Sequence, residues 1–458
     1  MTEMDTRSTQ RPEADFKTLV VGLGKTGVSC TRYLRAQGVR VAVTDSRESP
    51  PGLTTIRDEL PEVAVFVGGF DPGAFAAAEQ LVVSPGVAVS EPEVQAAMSR
   101  GVPVIGDVEL FARAAAAPIC AITGSNGKST VTSLVGMMAA LAGVRGRVGG
   151  NLGEPVLDLL DPQAELYVLE LSSFQLETTQ TLSPLVSVVL NLSPDHMDRY
   201  PDLAAYTAAK ARIYDRAEVA VVNRDDPLVC AMPRSARREI GFTLTEPAED
   251  DYGLCERTGE TWLCRGSEPI LEARDVLIPG RHNLANALAA LALAEGCGLP
   301  PAPCLEALRS FPGLEHRSQL VAESRGIRWY DDSKGTNPGA TVAALDGLVP
   351  PGASHRAVLI AGGDGKGAGF GPLAPAAERA ARAVVLIGRD APLIAAVLQG
   401  RVPTVMASDM ADAVRQAALL AEPGDCVLLS PACASFDMFD DYRHRGRCFV
   451  SAVNGLIQ

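Results

Sequence analysis

Twice within its first 130 residues, a short apolar run ends in glycines and passes directly into an amphipathic stretch. The first run, 18–22, enters the turn Gly22-Leu23-Gly24-Lys25-Thr26-Gly27. The second, 119–123, enters Thr123-Gly124-Ser125-Asn126-Gly127-Lys128-Ser129-Thr130. A strand that feeds a helix through such a turn needs parallel neighbours and helices to cover them, so parallel α/β layers are expected. The alternation continues, with strands predicted at 39–44, 81–83, 166–169, 186–190, 328–330, 357–361, 383–387 and 426–429. Helices are predicted at 206–215 and 283–294, and the polar, irregular stretch 243–276 suits a small meander or an insertion. No repeat recurs at a 20–50-residue period. At roughly 150 residues per domain, 458 residues allow three. Breaks near 106 and at Phe311-Pro312-Gly313 give 1–106, 107–313 and 314–458.

Composition narrows the partners. With 41 Lys and Arg against 55 Asp and Glu, the formal charge is −14. That disfavours general nucleic-acid or anionic-membrane binding, which need a basic footprint. Any anionic ligand must therefore be held by local cations working against the global field. The longest apolar run, 134–144, is too short to span a bilayer. The first 16 residues mix both charge signs without an apolar segment, so no targeting peptide is expected and the cytoplasm is the expected compartment. Ten cysteines without a C-x-x-C pair read as reduced thiols, with Cys120, Cys230, Cys297 and Cys426 as small buried hydrophobes.

The two glycine turns carry different information. Gly22, Gly24 and Gly27 follow a strand and precede a helix, and Asp45 comes 23 residues after Gly22. That context suits NAD or FAD, another nucleotide, or a structural turn. In the second turn, backbone N–H groups can converge on phosphate oxygens, Lys128 adds charge, and a Ser129 or Thr130 hydroxyl can reach a metal. Ile122 stands where the strict eight-residue phosphate loop has its first glycine, so this is a shorter variant. Alone, His196 reads as an ordinary core or surface histidine and Lys210 as a solvated helix lysine. Asn283 and Asn286 share one helix face, where they can cap or point at one ligand. Gly362–Gly367 offers another glycine loop, without the Lys-Ser/Thr pair that metal-bound ATP requires.

These motifs together resemble the Mur ligase and folylpolyglutamate synthetase superfamily. The resemblance rests on the Gly124–Thr130 loop, Glu170-Leu171-Ser172-Ser173-Phe174-Gln175-Leu176-Glu177, and Asn191-Leu192-Ser193-Pro194-Asp195-His196-Met197-Asp198-Arg199-Tyr200. Further matches are Gly280-Arg281-His282-Asn283 with Asn286, Glu315-His316-Arg317, and Asp332-Ser333-Lys334-Gly335-Thr336-Asn337. The last are Gly362-Gly363-Asp364-Gly365-Lys366-Gly367 and Ser430-Pro431-Ala432-Cys433-Ala434-Ser435. Together they run from about residue 17 to the C-terminus. The Ser-Ser-Phe-Gln-Leu and Asp-His-Met-Asp-Arg-Tyr segments are most similar to members that add D-glutamate to UDP-N-acetylmuramoyl-L-alanine.

The resemblance implies a Rossmann-like N-terminal domain that binds UDP, a central P-loop ATPase-like domain, and a Rossmann-like C-terminal domain that binds the amino acid. It implies an ADP-forming amide ligase working through an acyl phosphate in peptidoglycan precursor synthesis. Lys128 would hold the β/γ-phosphates, Ser129 with Glu170 one Mg²⁺, and His196 a second Mg²⁺ faced by Lys210 as a carbamate. Gly124, Ser125, Asn126, Gly127, Thr130, Asn283, Asn286, Arg317, Asp332 and Lys334 would complete the ATP site. Lys25, Thr26, Ser46, Arg47, Gly86 and Asn151 match the UDP-substrate contacts. Thr336, Lys366 and Ser435 match the D-glutamate contacts, with Tyr442 where phenylalanine is expected. A monomer is expected. The alternatives are a sibling ligase adding another amino acid, a folate polyglutamate synthetase, and a nicotinamide-dependent oxidoreductase suggested by Gly22–Gly27.

Overall fold

The computed structural model describes residues 16–278, 280–350 and 352–457. They form two compact units. The first gathers the described residues up to Ala116 with Gly149–Pro162 and Leu171–Leu182; the second holds Ala117–Val148, Gln163–Glu170 and the chain from Ser183 on.

The first unit is built on a five-stranded parallel sheet. Its strand order is Ala64–Val67, Val41–Asp45, Thr18–Val21, Gln80–Val83, Val104–Ile105. Thr18–Val21 and Val41–Asp45 are buried throughout, as strands covered on both faces must be. The order reverses at Thr18–Val21, and in an open α/β sheet that reversal opens a crevice at the strand C-termini. Gly27 opens the helix Lys25–Ala36 so tightly against the turn that a Cβ there would overlap the Gly22 carbonyl oxygen. The helix Asp107–Ala114 is tied to 171–182 by polar contacts. Gln175 Nε2 donates to Asp107, the Gln180 and Thr181 amides donate to Glu109, and the Gly106 amide donates to Thr178.

The second unit contains two sheets. The larger runs Glu268–Glu272, Glu260–Arg265, Tyr252–Arg257, Arg238–Phe242, Val219–Asn223, Val186–Val189, Ile119–Thr123, Leu166–Glu170, Gly146–Gly150. Its middle is parallel and apolar, packed by the helices Lys128–Leu141 and Arg281–Gly296 into one core. The polar stretch 243–276 supplies an antiparallel meander, the first of the two readings its composition allowed. One expectation fails there, because Cys255 and Cys264 form a disulfide; the other eight cysteines are free. Their spacing matches no short cysteine motif. Cross-strand pairing of Gly253 with Cys264 and Cys255 with Trp262 makes the two thiols diagonal neighbours. The helix predicted at 206–215 starts three residues earlier, as an α-helix Leu203–Ala211 that passes into a 3₁₀ turn Arg212–Tyr214. The smaller sheet runs Gln319–Ser324, Ile327–Asp331, Cys426–Leu429, Ala357–Ala361, Ala381–Leu386, Thr404–Met406. It is parallel except for its first hairpin.

Candidate active site

The phosphate-type loop lies between Ile119–Thr123 and the helix Lys128–Leu141, whose first N–H groups point outward with the positive end of the helix dipole. Gly127 stands at φ +83°, and a Cβ there would meet Asn286 Oδ1, so only glycine lets this loop and the Arg281–Gly296 helix close on each other. Asn286 Nδ2 in turn donates to Asn283 Oδ1 at 3.0 Å, which fixes both amides at the loop. Asn191 locks the loop from the far side, accepting from the Asn126 amide at 2.9 Å and donating to its carbonyl at 3.0 Å. Lys128 Nζ folds back onto the carbonyls of Gly124 and Ser125, both at 2.9 Å. Beyond these carbonyls the Glu170 and Asp195 carboxylates act on its charge, and the ammonium stands at the loop where an incoming phosphate would sit.

Around the loop lies a cavity of about 360 Å³. Asn126, Gly127, Thr130, Asn283, Asn286, Arg317, Asp332 and Lys334 all line it, so eight residues expected at the ATP site meet in one place. Sequence reasoning missed its apolar wall, formed by Phe242, Leu244, Ile278, Leu314 and Ala343. Such residues read only as core until the sheets are assembled. Arg317 reaches the loop directly, its guanidinium donating to Ser129 Oγ at 2.7 Å. Asp332 is held by the Ser318 amide at 3.1 Å and Ser430 Oγ at 2.7 Å, and burial pushes its carboxyl up to about 7. Burial, with Arg317 and Lys128 nearby, brings Lys334 down to about 7.

Beneath the loop, Glu170 ends its strand 2 % exposed, and Lys210, also 2 % exposed, donates to Thr123 Oγ1 at 3.2 Å. Burial first, then the Lys128 charge, lowers the Lys210 amine well below the usual lysine range. His196 sits at φ +59°; burial brings its imidazole down to about 4, leaving the ring neutral and able to bind a metal. Among the described residues, no three His, Cys, Asp or Glu side chains converge as a metal-binding group. Mg²⁺ takes one or two protein oxygens beside substrate phosphates and water. Glu170 and Ser129 supply such oxygens at the phosphate loop.

Among the described residues, Thr336, Lys366, Ser435 and Tyr442 do not line this cavity. Lys366 instead meets Asp195, with Nζ to Oδ1 at 2.5 Å. The Tyr442 ring lies under the Lys334 ammonium, 4.0 Å from Nζ to the ring centre. Ser435 is buried in the segment that follows Cys426–Leu429. Arg445, fully buried, ties that segment to Ser333 by donating to the Cys433, Ala434 and Ser333 carbonyls. No motif in the sequence around it marks Arg445 for this role.

The first unit carries its own cavity, of about 600 Å³, at the strand C-termini. Lys25, Thr26, Ser46, Arg47, Gly86 and Asn151 all line it, beside Gly22, Gly24, Phe70 and Gln175. Asp45 braces its floor. The carboxylate accepts from the Leu23 amide at 2.7 Å and takes the Arg47 guanidinium at 2.9 and 2.7 Å.

A strand-order reversal with a crevice, a second sheet bearing a phosphate loop, and a third sheet delivering Arg317 and Lys334 to that loop are the marks of a nucleotide-dependent ligase. Comparison assigns the chain to a family. "Mur ligase MurD-like, N-terminal domain" matches residues 16–106, "Mur ligase middle domain" 122–294, and "Mur ligase, glutamate ligase domain" 316–433. The chain belongs to the Mur ligases. Curated relatives include the UDP-N-acetylmuramoylalanine--D-glutamate ligase of Nitrosococcus oceani, 55% identical over 98% of both chains. The enzyme of the same name from Methylococcus capsulatus is 53% identical over 96% of this chain and 95% of its own. The fold is shared with the solved UDP-N-acetylmuramate-alanine ligase of Thermotoga maritima (TM-score 0.60, 20% identity, covering 96% of this chain and all of that one).

Proposed function

We infer that this chain is an ATP-dependent, ADP-forming ligase that joins D-glutamate to UDP-N-acetylmuramoyl-L-alanine in peptidoglycan precursor synthesis. Mur ligases are ATP-dependent and use Mg²⁺. The observation that carries the reading is the convergence of Lys128, Arg317 and Lys334 on one phosphate loop, in a chain 52–55% identical to curated D-glutamate ligases.

An amine cannot displace oxide from a carboxylate, because oxide is too poor a leaving group. Phosphoryl transfer from ATP, with ADP leaving, turns that oxygen into an acyl phosphate; the neutral D-glutamate amine then attacks the acyl carbon, loses a proton, and the C–O bond breaks to release phosphate. Both transition states gather negative charge, so the site needs preorganised cations more than a nucleophile of its own. Lys128 would turn from its carbonyls to the β/γ-phosphates, and Arg317 would exchange Ser129 Oγ for phosphate oxygen. Asn283 and Asn286 would hold the adenosine against the apolar wall, with Asp332 at the ribose. When bound, Mg²⁺ would neutralise phosphate charge, held by Ser129 and Glu170 at one position and by His196 with Lys210 at a second.

We propose further that Lys210 carries a carbamate. CO₂ adds to a neutral amine, forming the N–C bond as the nitrogen gives up a proton, and the burial and neighbouring charge that depress this lysine favour that neutral form. The first-unit crevice would take the uridine diphosphate through Lys25, Thr26, Ser46, Arg47 and Gly86, and Asn151 the muramoyl-alanine part. Thr336, Lys366, Ser435 and Tyr442 would hold D-glutamate. Segments 1–106, 107–313 and 314–458 would each take one substrate, in a protein working as a cytoplasmic monomer. Phosphate release, with UDP-N-acetylmuramoyl-L-alanine present and D-glutamate exchanged for L-glutamate, L-lysine or meso-diaminopimelate, tests the substrate. Release with D-glutamate alone is expected; release with another of these amino acids in its place overturns the assignment.

A further inference from the structure

Lys366, a residue expected to receive a carboxylate, already holds one. Its Nζ lies 2.5 Å from Asp195 Oδ1, across 171 residues of chain, and only 9 % of the Asp195 side chain is exposed. The other contacts of Asp195 fix it in place. Its Oδ1 also accepts from the His196 amide at 2.9 Å, and its Oδ2 accepts from Asn337 Nδ2 at 3.2 Å. Asn337 is itself anchored on the phosphate loop, donating to Asn126 Oδ1 at 3.0 Å. His196 and Lys366 both sit at positive φ, +59° and +52°, a conformation that costs energy in residues other than glycine and is held here by the surrounding contacts.

Resting on the D-glutamate reading above, we propose that Asp195 is the ammonium anchor of the amino-acid substrate. D-Glutamate enters by inserting into the Lys366–Asp195 pair, a carboxylate on Lys366 and its ammonium on Asp195.

Charge pairing gives the reason. Breaking a buried ion pair by removing one partner leaves the other desolvated and uncompensated. A zwitterion replaces one pair with two, so neither protein charge is left bare. A dicarboxylate without an amine would take Lys366 and strand Asp195, so the pair selects against it. The position also suits the chemistry. The substrate nitrogen, nucleophilic once its ammonium has given a proton to water, must arrive beside the phosphorylated carboxylate, and Asp195 adjoins His196 and reaches the phosphate loop through Asn337.

The test compares D-glutamate with glutarate, the same dicarboxylate without its amine. In the phosphate-release assay, Asp195→Asn should raise the KM for D-glutamate by about 30-fold, the scale of one lost charged hydrogen bond. The competitive Ki of glutarate should stay level or fall, because Lys366 is released to bind it. A residue that merely shapes the site would weaken both ligands alike. Equal losses, or a D-glutamate KM within about twofold of the parent, overturn the proposal. Asp195→Glu, which keeps the charge, covers the case in which the asparagine variant does not fold. It should raise the D-glutamate KM less and leave glutarate unmoved; parallel shifts in both ligands count against the anchor. The parent enzyme is the control for the underlying reading. If it does not depend on D-glutamate, both ideas fall; if it does and the variants show no split, only the anchor falls.

Discussion

Lys210 shows how far a single residue can depart from its local appearance. In Tyr206-Thr207-Ala208-Ala209-Lys210-Ala211-Arg212 nothing distinguishes it from a solvated helix lysine, and only the family resemblance singled it out. In the structure it is buried, 4.8 Å above the Tyr206 ring, and depressed by desolvation and by Lys128. The carbamate reading predicts that activity falls in CO₂-depleted buffer and returns with bicarbonate. Lys210→Ala should lose at least about two orders of magnitude in kcat, the scale of one preorganised electrostatic group, and should not respond to bicarbonate. A parent enzyme indifferent to bicarbonate, whose Lys210 also gives no carbamate signal under ¹³CO₂ in NMR, would refute it. His196 was equally ambiguous alone. Its positive φ and neutral imidazole became visible only with its neighbours in place.

Among the elements, the strands and the two glycine turns were the most legible, because apolar runs and glycine positions are local properties of the chain. The meander at 243–276 was less so. Its strands are held to the helix Arg281–Gly296 through Glu295, which accepts from Tyr252 Oη at 2.7 Å and from Arg265 Nε at 2.9 Å, and also pairs with Arg238. Burial would raise this carboxyl, but the Arg265, Tyr252 and Arg238 hydrogen bonds overturn that and hold it at about 2. A carboxyl lowered on folding stabilises above its unfolded value, near 4.3, and that contribution is lost as pH falls through about 2. Glu295→Gln should therefore cost about 1–2 kcal/mol at pH 7. The gap from the parent should close between pH 4.5 and 2 in denaturant titrations; a gap independent of pH would show that the charge contributes nothing.

For the whole molecule, the charge of −14 argues against nonspecific polyanion binding and leaves each anionic ligand to local cations. Lys25 and Arg47 line one cavity; Arg317 and Lys334, with Lys128 behind the loop, serve the other. Calorimetry should separate these sites. MgATP at about 100 times its Kd should stabilise the second unit by about 2.7 kcal/mol, and UDP at the same ratio the first. A single transition moved equally by both ligands would contradict two ligand-specific units.

By itself the sequence determined the parallel α/β layering, the phosphate loop around Lys128, the absence of a basic footprint and, through ordered motifs, the family. All of these are written in residues close together along the chain, where strand and helix periods and glycine positions act. Tertiary structure alone decided that Arg317 meets Ser129 across 188 residues, Asn337 meets Asn126 across 211, and Lys366 meets Asp195. It also decided the Cys255–Cys264 bridge and the burial of Arg445. No periodicity encodes such pairs. The long-range pairs exist only once separate sheets and their loops pack together, the bridge only once its hairpin sets the register, and what each charge does depends on which partner that packing leaves beside it.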